Sequence, residues 1–122
     1  MNKVFLIGNL TKDPELLDLE AGVKLAKFTL ATNKNWQNKD GEKVASTDFH
    51  NIVAWRKLAE ICAAYLKKGS AVMVEGKISQ NKYQGKDGKN KIATEIYADE
   101  VHFITTKKTN EMEEINLVEV AA

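Results

Sequence analysis

A single cysteine, Cys62, stands in the 122 residues, so no disulfide can form within the chain, and a CxxC redox pair or cysteine zinc cluster lacks its second thiol. A reducing compartment suits such a chain. Long apolar runs are missing too. Val4-Phe5-Leu6-Ile7, after Met1-Asn2-Lys3, is too short for a secretory h-region, and no later stretch approaches the roughly 18 apolar residues of a membrane span. The expected location is therefore cytoplasmic. The only histidines are His50 and His102, and no HExxH, P-loop or GxSxG spacing occurs, which leaves metal and nucleophile chemistry without its parts. Neither an enzyme nor a cofactor is expected. The formal net charge is only +1, which by itself points to no polyanionic partner.

What is present reads as one globular domain: 43% hydrophobic and 29% charged residues are enough to build a core. Charge is unevenly spread. Residues 107–122 carry Lys107 and Lys108 against Glu111, Glu113, Glu114 and Glu119, so the tail is acidic and the body basic. Within the body, residues 77–91 hold Lys77, Lys82, Lys86, Lys89 and Lys91 against Asp87 alone, a local basic arm.

Val4 to Leu10 reads as a strand closed by the turn Thr11-Lys12-Asp13-Pro14, and Val23 to Thr32 as a second strand. The chain then turns polar around Trp36, and Asp40-Gly41 supplies a turn, which predicts a protruding loop or hairpin. Thr47 to Trp55 alternates, with Phe49, Asn51, Val53 and Trp55 on one face and His50, Ile52 and Ala54 on the other. Leu58, Ile61, Cys62, Tyr65 and Leu66 share one helical face, and Lys67-Lys68-Gly69 predicts the helix end with a C′ glycine. A strand from Ala71 through Ile78, a turn at Lys86-Asp87-Gly88-Lys89 and a return from Ile92 to Ile104 predict a long hairpin with a basic tip. One helix among strands without βαβ alternation argues for a small antiparallel barrel. Residues 111–122 fit a short helix, an added edge strand or a tail equally.

Aromatics interleaved with lysines carry the functional signal, because single-stranded nucleic acid offers flat base faces and a charged backbone to exposed rings and cations. Trp36 lies among Asn, Lys and Gln, and Tyr83 lies between Lys82 and Gln84; both read as exposed platforms. Phe49 and Trp55 are balanced between platform and core, since their face also holds Val53. Cys62 reads as an inert core residue, and His50 as a structural, hydrogen-bonded one.

Several motifs in order carry a resemblance: Asn2-Lys3-Val4 through Ile7-Gly8-Asn9-Leu10 with Asp13-Pro14-Glu15, Phe28-Thr29-Leu30-Ala31-Thr32, Lys57-Leu58-Ala59-Glu60 through Tyr65-Leu66-Lys67-Lys68-Gly69-Ser70, and Val74-Glu75-Gly76. Over about residues 1–105 the chain resembles the bacterial single-stranded DNA-binding proteins. The resemblance implies an all-β oligonucleotide-binding (OB) fold with one helix, a five-stranded antiparallel β-barrel whose helix lies between strands 3 and 4, assembled as a homotetramer. It implies non-specific binding of single-stranded DNA in replication, recombination and repair, with Trp36, Phe49, Trp55 and Tyr83 at base-stacking positions. That turns the balanced reading of Phe49 and Trp55 toward exposure. Backbone contacts carry over onto Lys39, Lys57, Lys68 and Lys82, whereas Asn51 stands where arginine is common. His50 aligns with a histidine at the family's subunit interface. The departure is in residues 106–122, a short acidic tail without the usual long linker or Pro-Phe tip, which puts recruitment of replication and repair enzymes in doubt. The rival expectation is an OB-fold accessory subunit that binds proteins of a replication complex.

Overall fold

A computed structural model describes residues 1–105; the tail expected over residues 106–122 lies outside them. The strands are β1 (Val4–Leu10), β2 (Glu15–Asp18), β3 (Lys24–Gln37), β4 (Lys43–Trp55), β5 (Ala71–Gln84) and β6 (Asn90–Thr105), with the helix α1 (Arg56–Tyr65) between β4 and β5. Hydrogen bonding runs β1-β5-β6-β4-β3-β2, and β1 also pairs with β3 at Asn9 and Leu10. That last pairing closes the sheet on itself. Five strands thus form an OB-like barrel, with β2 added outside β3.

Inside, Phe28, Leu30, Ile52, Val72, Val74 and Val101 fill the barrel, and Ala59 and Cys62 of α1 join the same cluster. Each strand contributes alternate residues, as a pleated strand with one buried face must. Closure depends on two places without a side chain: a methyl on Gly8 would land on the Ala31 carbonyl, and one on Gly76 on the Tyr97 carbonyl. The Asn2 side chain extends the β1 edge by accepting from the Ile78 N–H at 2.9 Å and donating to the Ile78 carbonyl at 2.8 Å.

The protruding loop or hairpin expected around Trp36 is a hairpin: β3 runs to Gln37 and β4 begins at Lys43, with Gly41 at φ +79° in the turn, so the two form an arm past the barrel. Both faces of that arm meet solvent, so no hydrophobic alternation marked its strands. Three features depart from the expectations. First, Leu16 and Leu17 belong to the short strand β2 beyond the Pro14 turn. Second, the barrel is not wholly antiparallel, since β4 and β6 pair in parallel at Ile52↔Ile96 and Val53↔Tyr97. Third, α1 stops at Tyr65, and Gly69 is not its C′ residue. There the buried Ser70 hydroxyl accepts from the Lys67 N–H at 3.0 Å, while Gly69, at φ +90°, donates its N–H to the Leu10 carbonyl at 2.8 Å. The segment is a turn tied to β1 rather than a helix cap.

Candidate nucleic-acid interface

β4 supplies the centre of the candidate face. Ile52 and Ala54 point into the core, which sends Phe49, Asn51, Val53 and Trp55 outward. Phe49 is 66% exposed and Trp55 36%, and the six residues between them span about 20 Å at strand rise. Val53 faces outward yet is buried, between its cross-strand neighbours Lys27 and Tyr97. An outward valine under a roof of neighbouring side chains is what made this face look like core in the sequence.

Register carries the same face across the sheet. Ala31, Thr29 and Lys27 lie opposite Phe49, Asn51 and Val53, and Thr29 Oγ1 is 3.5 Å from Asn51 Oδ1. Through the Val53↔Tyr97 pairing it continues to Tyr97 and Glu95 on β6, and from there to Lys77, Ser79, Asn81 and Tyr83 on β5. Tyr83 is 50% exposed. Phe49, Trp55 and Tyr83 therefore share one side of a continuous sheet. Trp36, 47% exposed, alternates onto the opposite side of the β3–β4 arm, facing Val44. Its cleft is lined by Asn35, Gln37, Lys43, Val44 and Ala45, and a similar cleft beside Tyr83 is lined by Lys82, Gln84, Asn90, Lys91 and Ile92.

The four expected lysines are all exposed, at separate places. Lys39 sits in the arm's tip loop, where Asn38 Oδ1 accepts from the N–H groups of Asp40 and Glu42. Lys57 lies in the first turn of α1, two residues past Trp55, and Lys82 precedes Tyr83 on β5. Lys68 stands apart: α1 separates it from Lys57 by about 15 Å of helix, and its N–H donates to Asp13 Oδ1 at 2.8 Å. Sequence reasoning missed Lys27, Lys12 and Tyr97. Lys27 and Lys12 line a cleft with Thr29, Asn51 and Glu95, and the signal for Lys27 was its place between the core residues Ala26 and Phe28, which obliges it to point out.

At the end of β4 the chain enters α1 through Arg56 at φ +56°, a left-handed conformation unusual for a side-chain-bearing residue. Trp55 is the N-cap residue, extended and without a capping side chain, and no acid occupies the helix's first turn. His50 is half-buried, with Nε2 2.9 Å from Thr32 Oγ1. Cys62 is fully buried, and burial pushes its thiol up to about 12, which removes it from thiolate chemistry.

A second outer face, on β1, β5 and β6, sets an apolar strip on β1 beside the charged cluster of Glu75, Glu100 and His102. Phe5 (61% exposed) and Ile7 (63%) lie opposite Glu75 and Met73. The ion pair Lys3 Nζ to Glu75 Oε1, 2.9 Å, borders them and holds the Glu75 carboxyl below its ordinary value. The edge of β1 from Val4 to Gly8 has no strand beside it opposite β5 among the described residues, because β3 engages only Asn9 and Leu10.

A closed barrel of this topology, with exposed rings and cations spread over one outer face, defines an oligonucleotide-binding class of protein. Comparison narrows the class. The pattern of the single-strand binding protein family matches residues 1–104, and the chain belongs to that family, one of non-enzymatic DNA-binding proteins. It is 44% identical over 110 residues to the single-stranded DNA-binding protein of Neisseria meningitidis serogroup A, covering 90% of this chain and 63% of that one. With single-stranded DNA-binding protein 3 of Listeria innocua it shares 49% over 108 residues, covering 88% and 66%. The chain thus spans somewhat under two thirds of the length of these relatives. Among solved structures it is similar to the Plasmodium falciparum SSB in complex with single-stranded DNA, at TM-score 0.80 and 33% identity, covering 85% of this chain and 95% of that one.

Proposed function

We propose that this chain binds single-stranded DNA without sequence preference, stacking bases on Phe49, Trp55, Tyr83 and Trp36 while Lys39, Lys57, Lys68 and Lys82 neutralise phosphates. The observation that carries the reading is the outer sheet face on which Phe49, Trp55 and Tyr83 lie exposed together, with Lys27 and Lys77 among them. Single exposed rings are common on protein surfaces, but three on one sheet face interleaved with cations match what a stacking interface for single strands requires. Stacking reads no hydrogen-bonding edge, so every base is accepted. The family kinship, and the likeness to an SSB solved with single-stranded DNA, support the same ligand. The roles that follow are coating and protection of single strands during replication, recombination and repair. A cytoplasmic place agrees with them, and no helix among the described residues is long and apolar enough to cross a membrane.

The assembled form in this reading is a homotetramer. Its support is the open β1 edge beside exposed Phe5 and Ile7, since an unpaired strand edge with apolar neighbours is a ready template for a second copy. His50, half-buried on β4 beside Thr32, takes the interface role in this reading. Residues 1–105 form the DNA-binding domain, and residues 106–122 an acidic appendage.

Titration of tryptophan fluorescence with poly-dT at low and high salt, on protein of measured solution mass, tests the proposal. Saturable quenching that weakens with salt supports it, because released counterions make affinity fall as salt rises. A folded protein that shows no quenching at low salt overturns it in favour of the accessory protein-binding barrel.

A further inference from the structure

Trp55 stands at the last position of β4, where sheet support ends. On its β3 side it faces Leu25, but the parallel pairing with β6 reaches only Val53, and the next residue, Arg56, leaves the sheet. An indole in that position has one flank without a strand. Tyr97 fills it. The two ring centroids lie 6.1 Å apart with planes at 75°, an edge-to-face arrangement that aromatic quadrupoles favour.

Tyr97 is itself held. Asn81 Nδ2 donates to the Tyr97 hydroxyl at 3.3 Å and to Glu95 Oε1 at 3.1 Å. Asn81 lies two residues before Tyr83 on the same face of β5. A chain of contacts therefore runs from β5 through β6 to β4, and ends on the Trp55 ring.

We propose that Tyr97 is a positioning residue for single-stranded DNA binding: fixed by Asn81, it holds the Trp55 indole ready to take a base. The proposal rests on the DNA-binding reading of this face. Its physical content is preorganisation. A ring already ordered before binding loses less side-chain freedom when a base stacks on it, and releasing one such side chain weakens affinity by about 2- to 10-fold.

The test uses the Trp36→Phe protein, in which Trp55 is the sole tryptophan. Without DNA, Tyr97→Val is expected to lower the fluorescence anisotropy of Trp55 and to diminish its near-ultraviolet circular dichroism, whereas Tyr97→Phe, which keeps the ring but loses the bond from Asn81, lowers both by less. With a dT oligomer, Tyr97→Val is expected to bind about 2- to 10-fold more weakly and Tyr97→Phe to fall between it and the parent. In a Trp55→Ala background Tyr97→Val should cost nothing further. Asn81→Ala, on the solvent face, should move the same readings in the same direction by less, and serves if Tyr97→Val does not fold. An unchanged Trp55 signal in Tyr97→Val, or an equal affinity loss with and without Trp55, would overturn the proposal. If the parent itself does not bind dT, the DNA reading fails, whereas the anisotropy and dichroism still decide whether Tyr97 orders Trp55.

Discussion

Trp55 and Arg56 are adjacent, and the chain treats them in opposite ways. The indole faces outward beside Tyr97, whereas Arg56 holds φ +56° so that β4 can turn into α1 behind it. Each stacked base is worth about 1–3 kcal/mol, so Trp55→Ala should weaken dT binding at least 5-fold; oligomer titration with a denaturation control checks this. A left-handed residue with a Cβ costs about 1–2 kcal/mol, part of which glycine recovers. Arg56→Gly is accordingly expected to raise the urea midpoint by an amount equivalent to about 0.5–1 kcal/mol. At this scale the sequence was legible where polarity surrounded a ring, as at Trp36 and Tyr83. It was ambiguous at Phe49 and Trp55, because buried Val53 shares their face, and it hid Tyr97, whose meaning comes from a partner 42 positions earlier.

Among the elements, the strands that line the core were readable from alternation, and α1 from its apolar spacing. What escaped has a common cause, since the missing information was in pairing rather than in composition. The hairpin around Trp36 was readable from its turn but not the extent of its strands, which have water on both faces; β2 owes its existence to β3, and the parallel contact of β4 with β6 is long-range. Gly8 lies at the crossing of β1 and β3, where its inner side meets the Ala31 carbonyl. Backbone cannot move aside as a side chain can. Gly8→Ala is therefore expected to destabilise the barrel by about 3 kcal/mol, the upper end for overpacking, measured as a lower urea midpoint with an unchanged slope.

The whole molecule presents two unlike surfaces, the ring-bearing face of β3 to β6 and the apolar strip of Phe5 and Ile7 beside the open β1 edge. If the strip serves assembly, a charge there must oppose it without touching the other face. Ile7→Glu is expected to shift sedimentation toward the monomer, and to leave the stacking of a short dT oligomer on each subunit intact. Assembly was suggested by resemblance alone, because an exposed strip on a curved strand is indistinguishable in sequence from a buried one.

The arms past the barrel have no core of their own: their ladders are fastened by hydrogen bonds that water reaches from both sides, while the barrel strands bury one face. Opening free energy is therefore unequal along a single strand. Amide protons of Asn33–Gln37 and Asn81–Gln84 should exchange with solvent long before those of Phe28, Leu30 and Val74. A bound single strand lying along the arms would then register as slowed exchange at their ends, with the barrel amides keeping the rates they already had.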